Sequence, residues 1–198
     1  MRKMIWAAAM LAASAAATPA WAQDDAFTGP WAGATFGYDS FSAGGDGDDA
    51  EDGIAYGIAL GYDVDVGGVV LGVEAELAES SVKASQSGVL EDGDEMTLSA
   101  GRDLYAGVRI GVPVTGNIMI FAKGGYTNQR FKLTYALDDE VESGHETLDG
   151  WRIGGGAEFD FGQPFARIEY RYSDYGAFSD AGFQTGRHQL VATAGLRF

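Results

Sequence analysis

Apolar and polar residues alternate with a period of two in eight stretches of this chain, and long helix-period patterns are absent. The second stretch is the clearest: Ile54, Tyr56, Ile58, Leu60, Tyr62 and Val64 alternate with Ala55, Gly57, Ala59, Gly61 and Asp63. The first, Trp31 to Phe41, sets Ala32, Ala34, Phe36 and Tyr38 against Gly33, Thr35 and Gly37. In the third, Val69, Leu71, Val73, Ala75 and Leu77 oppose Val70, Gly72, Glu74 and Glu76; in the fourth, Leu104, Ala106, Val108 and Ile110 oppose Asp103, Tyr105, Gly107 and Arg109. The fifth opposes Ile118, Ile120, Ala122, Gly124 and Tyr126 to Met119, Phe121, Lys123, Gly125 and Thr127. The sixth opposes Trp151, Ile153, Gly155, Ala157 and Phe159 to Arg152, Gly154, Gly156, Glu158 and Asp160. The seventh opposes Ala166, Ile168, Tyr170 and Tyr172 to Arg167, Glu169, Arg171 and Ser173, and the eighth is the run from His188 to Phe198. Side chains of a strand point alternately to its two faces, so each stretch predicts a strand with one apolar and one more polar face. Each is about the 9–11 residues that a tilted strand needs to cross a bilayer.

The connections alternate in length. Asp65 to Gly68, Pro113 to Asn117 and Gly162 to Pro164 read as tight turns built from Gly, Pro, Asn and Asp. Those near 42–53, 78–102, 132–149 and 174–187 are longer and polar, and are expected to be loops. Short turns on one side and long loops on the other predict an all-β, eight-stranded antiparallel up-and-down transmembrane barrel with both ends in the periplasm.

The N-terminus supports that location. Met1-Arg2-Lys3, an apolar stretch from Met4 to about Ala17, and Ala20-Trp21-Ala22 form a signal-peptide pattern, with cleavage expected after Ala22. Residues 1–22 are thus expected to leave and residues 23–198 to form one outer-membrane barrel domain. The absence of cysteine excludes a disulfide scaffold and a lipid-modified cysteine. The formal net charge is −16, and becomes −18 once Arg2 and Lys3 are removed. So acidic a chain is not expected to bind nucleic acid through a basic patch.

The placement of charge decides the class. Arg109, Lys123, Arg152, Arg167, Arg171 and Arg197 fall on the polar strand face together with Glu74, Glu76, Glu158, Asp160 and Glu169. The central apolar rows carry none. A lipid-facing Arg or Lys near the midplane costs about 2–4 kcal/mol, which accounts for that exclusion. An eight-stranded barrel is only wide enough inside for side chains to fill, so enclosed charges must pair. The expected luminal network is Glu74, Glu76, Glu158 and Glu169 with Arg109, Lys123, Arg167 and Arg171. Inward Gly and Ala would give it room, and the network would close the lumen. Aromatics at the row ends are expected as interfacial girdles: Tyr38, Tyr126, Trp151 and Tyr172 on one side, Tyr62, Phe159 and Phe198 on the other.

Six stretches in order carry a family resemblance: residues 31–38 (WAGATFGY), 71–76 (LGVEAE), 121–126 (FAKGGY), 150–158 (GWRIGGGAE), 167–172 (RIEYRY) and 195–198 (GLRF). With these the chain resembles the eight-stranded outer-membrane β-barrel family of Gram-negative bacteria, the porin-like and opacity-type surface antigens, and more loosely the OmpA transmembrane barrel. That resemblance implies a role for Phe198 in the signal read by the outer-membrane assembly machinery. It also implies a cell-envelope location.

Catalytic and metal chemistry find little support. A deacylase-type His-x-Ser pair is missing: Leu190 stands two beyond His188, and His145 is followed by Glu146 and Thr147. No enzyme activity and no cofactor are therefore expected. Asp46, Asp48, Asp49, Glu51 and Asp52 crowd one loop as a weak candidate for Ca²⁺, but their spacing departs from the EF-hand loop. The expected function is a structural or surface-exposed barrel, monomeric, with outer-membrane lipid and the assembly machinery as partners and extracellular contacts through the loops. The alternatives are a narrow channel for small ions or solutes, and a soluble periplasmic ligand-binding barrel whose apolar row would face inward.

Overall fold

The computed structural model describes residues 26–43, 50–87, 95–137, 140–178 and 183–198; the expected signal peptide lies outside them. Each alternating stretch is a strand: β1 (Gly29–Ala43), β2 (Ala50–Asp65), β3 (Val70–Ser80), β4 (Lys83–Ser87), β5 (Glu95–Thr115), β6 (Ile118–Leu137), β7 (Glu140–Asp160), β8 (Pro164–Phe178) and β9 (Phe183–Arg197). β3 and β4 are two lengths of one wall, broken at Ser81 and Val82, and both pair with β5. The hydrogen-bonded order β3-β2-β1-β9-β8-β7-β6-β5-β4, with β3 also on β5, closes the sheet into an eight-walled antiparallel barrel. Closure satisfies the backbone internally, which a strand in lipid requires.

The turns fall where the Gly, Pro, Asn and Asp clusters put them. Val66 donates its amide to the Val69 carbonyl at 2.8 Å, and Gly68 donates to Asp65 Oδ1 at 2.9 Å. Gly67, Gly68 and Gly162 have φ of 73°, 89° and 98°, the left-handed region that glycine enters without strain.

At the opposite end the described parts of the long loops expected near 42–53, 78–102, 132–149 and 174–187 are largely strand. β6 and β7 stay paired from Ile118↔Phe159 to Leu137↔Glu140, far past the Tyr126↔Trp151 rung. Alternation is a weaker guide there because no lipid enforces an apolar outer face, whereas ladder hydrogen bonds need only backbone. Phe131-Lys-Leu-Thr-Tyr135 is nonetheless rich in aromatic and β-branched residues, which favour strand.

The apolar row faces outward. Phe36, Ile58, Leu60, Val73, Val108 and Ile120 are each more than half exposed, the inverse of a soluble protein. Tyr38, Tyr126 and Trp151 stand exposed at the loop end of these rows, and Phe198 is exposed at the turn end. The row from Ile118 to Tyr126 spans about 20 Å along the barrel axis at the usual rise and tilt, close to the apolar band of known barrels. Because the apolar row lies outside and the charged row inside, the soluble ligand-binding barrel is excluded.

Small residues open the interior. A Cβ on Gly61 would lie 2.5 Å from the Trp31 ring, and one on Gly72 would lie 2.0 Å from Asp63 Oδ1. Phe27, Val70 and Met119 pack together at the turn end of the lumen; Val82, Ala100, Phe131 and Tyr175 pack together at the loop end.

Candidate functional site

Between these two apolar clusters lie seven acids and seven bases joined by ion pairs: Asp39, Asp63, Glu74, Glu76, Asp103, Glu158 and Glu169 with Arg109, Lys123, Arg152, Arg167, Arg171, Arg187 and Arg197. None is more than 7% exposed. All lie on the inward row of their strands, so the same alternation that sends Ile and Val into lipid sends them to the axis.

Nearest the turns, Glu158 is the hub. It accepts from Arg109 at 2.8 Å, from Arg167 at 2.8 and 3.0 Å, and from Arg197 at 2.6 Å. Arg109 also grips both carboxylate oxygens of Asp63, and Arg197 donates to Asp63 at 2.8 Å. The Trp31 ring lies below two of these cations, 4.4 Å from the Arg167 guanidinium and 5.2 Å from that of Arg109, with Phe165 edge-on to Trp31 at 5.7 Å. Flat guanidinium groups over aromatic faces gain attraction that grows when water is excluded.

In the middle, Lys123 bridges Glu74 at 2.7 Å and Glu169 at 2.8 Å. Arg171 takes both oxygens of Glu76 at 2.7 and 2.8 Å and reaches Glu169 at 3.2 Å and Gln189 at 2.8 Å. Arg167 links this level to the one below through Glu74 at 3.3 Å. Nearest the loops, Asp103 accepts from Arg152 and Arg187, each at 2.5 Å, and Arg187 holds Asp39 at 2.6 and 2.8 Å. Neutral groups complete this level: Ser80 donates to Asp39 at 2.5 Å, and Ser173 accepts from Arg152 at 2.7 Å.

The eight residues expected to meet inside do meet. Six more were not foreseen as members. Asp63, Asp103, Arg152 and Arg197 already stood on inward rows, and Asp39 and Arg187 are found by extending the rows Gly33-Thr35-Gly37 and Gln189-Val191 one step toward the loops. Asp160, also inward, accepts from the Gly162 amide rather than joining an ion pair.

Elsewhere little chemistry assembles. His188 faces outward, with the Tyr170 hydroxyl 2.7 Å from its Nδ1 and the Tyr172 ring at 4.9 Å. His145 is known by its backbone pairing with Lys132. Of the candidate Ca²⁺ ligands, Asp46, Asp48 and Asp49 lie outside the described residues, while Glu51 and Asp52 pair with Phe41 and Ser40 across β1 and β2. Among the described residues no trio of His, Cys, Asp or Glu is placed to hold a metal ion.

Known proteins share this architecture. The 31 kDa outer-membrane immunogenic proteins of Brucella melitensis and Brucella suis are each 30% identical to it over 132 residues, 63% of this chain and 55% of theirs. The chain thus matches about half the length of these curated relatives. The attachment invasion locus protein of Yersinia pestis shares 14% identity over 86% of this chain and 99% of its own, with a TM-score of 0.52. Neisserial surface protein A shares 12% over 86% and 98%, with a TM-score of 0.57. At these identities the likeness to the two solved structures is one of fold. The sequence pattern of the outer membrane protein beta-barrel domain runs through residues 7–198, so this chain belongs to that family and resides in the bacterial outer membrane.

Proposed function

We propose that this protein is a surface-exposed structural barrel whose lumen is shut by its own ion pairs, and whose strand extensions form the face offered to the surroundings. The luminal network carries the reading: seven acids and seven bases, each buried, lie between apolar clusters at both ends. A continuous water path would solvate these groups and weaken their pairing. The names of the relatives, an outer-membrane immunogenic protein and an attachment invasion locus protein, are compatible with such a face. Envelope integrity or contact with extracellular partners would be its role, as a monomer and without catalysis. Phe198, exposed at the turn end with its amide on the Pro30 carbonyl at 2.8 Å, is the candidate contact for the assembly machinery.

The test is conductance of the refolded protein in a planar bilayer. A closed lumen gives no steady openings from protein shown to be folded by a heat-shift gel. Reproducible unitary openings would replace this reading with the narrow channel.

A further inference from the structure

The mature chain has four basic residues outside the luminal network, Lys83, Arg102, Arg130 and Lys132, and all lie on the adjoining strands β4, β5 and β6. Lys83 stands opposite Ser99, and Ser99 opposite Lys132. One step nearer the membrane, β5 carries a bulge: Gly101 and Arg102 lie between the rungs Ala100↔Phe131 and Asp103↔Gln129, opposite the single residue Arg130. Arg102 and Arg130 are both exposed, and neither forms an ion pair among the described residues.

Like charges facing each other across a sheet repel. This pair is nevertheless fixed from within. Gln129 donates from Nε2 to the Gly101 carbonyl at 2.9 Å and to the Arg130 carbonyl at 3.1 Å, and its Oε1 accepts from Arg187 at 2.8 Å. The neighbouring acid Asp149 accepts from the Tyr126 hydroxyl and from Asn128 at 2.6 Å, and Glu79, at the loop end of β3, accepts from Tyr56 at 3.3 Å; neither forms an ion pair with the two arginines. Among the described residues, then, the two guanidinium groups have no anionic partner.

Their height identifies one. Arg130 is four residues beyond the girdle residue Tyr126, about 10 Å further along the membrane normal at the usual strand rise and tilt. The polar layer of a leaflet begins at such a girdle and is about 5–8 Å thick, so a long arginine side chain reaches its phosphates. With the lumen balanced, the net charge of −18 that remains without Arg2 and Lys3 lies elsewhere and repels soluble polyanions, whereas a lipid phosphate arrives within the membrane plane. We propose that Arg102 and Arg130, set side by side by the Gly101–Arg102 bulge, clamp a phosphate head group of an outer-leaflet lipid.

The test is native mass spectrometry of the full mature protein refolded in zwitterionic micelles and titrated with lipid A, dephosphorylated lipid A, or inorganic tripolyphosphate. Lipid A is expected to bind and its dephosphorylated form to bind far less. At about fivefold per basic residue, R102Q/R130Q weakens lipid A binding about 30-fold, whereas R102K/R130K retains most of it. Heat-shift mobility shows that each variant is folded. Equal binding of the two lipid forms, or no loss in folded R102Q/R130Q, overturns the clamp. Tripolyphosphate binding as tight as lipid A would also overturn it, making the patch a receptor for soluble anions.

Discussion

The two ends of the lumen solve the same problem differently. At the turn end, one carboxylate serves three arginines, Asp63 serves two of the same three, and two of the cations lie on Trp31. At the loop end, Asp39, Asp103, Arg152 and Arg187 share the work with Ser80, Ser173, Gln129 and Tyr175. The dense end depends on charge meeting charge, and the diluted end on hydrogen bonds from neutral side chains. The lesson is that a buried ion cluster loses most where each member has several charged partners and few neutral substitutes.

Glu158→Ala strikes the dense end hardest. It leaves Arg109, Arg167 and Arg197 with fewer acids, and a loss of about 3–5 kcal/mol is expected in the unfolding free energy from urea titration of the refolded protein. A cost near that of an exposed residue would mean that water enters and screens the turn end. Ser173→Ala tests the diluted end by removing an acceptor from Arg152, with an expected loss of about 1.5–3 kcal/mol in the same titration. A negligible loss there would show that the neutral groups are bystanders and that both ends rest on charge. The smallest effect is expected outside, where Tyr126→Phe removes the hydrogen bond to Asp149 in reach of water. A change within about 0.5 kcal/mol is expected by thermal gel shift, and a larger one would show that the outer girdle is as organised as the lumen.

The strands and the inward placement of Glu74, Glu76, Glu158 and Glu169 were legible because lipid outside enforces a strict period of two. The extension of β5, β6 and β7 past the girdle was not, since water in place of lipid on the outer face removes that constraint. The bulge at Gly101 and Arg102 hid a second fact. It lets both Ala100 and Asp103 face inward, three positions apart, which plain alternation forbids. Arg187 was hidden similarly, in a stretch read as loop that proves to be the start of β9. Which acid meets which base depends on shear and side-chain reach around the ring, which periodicity along one strand does not encode.

The pairing of Arg187 with Asp39 joins residues 148 positions apart, and that of Arg197 with Asp63 joins residues 134 apart. The acids are made early on β1 and β2, and their partners come last, on β9. Until β9 docks against β1, each half of the wall carries charges that the other must neutralise. A sheet that closed in the wrong register, or without its final strand, would leave these carboxylates without the bases that neutralise them.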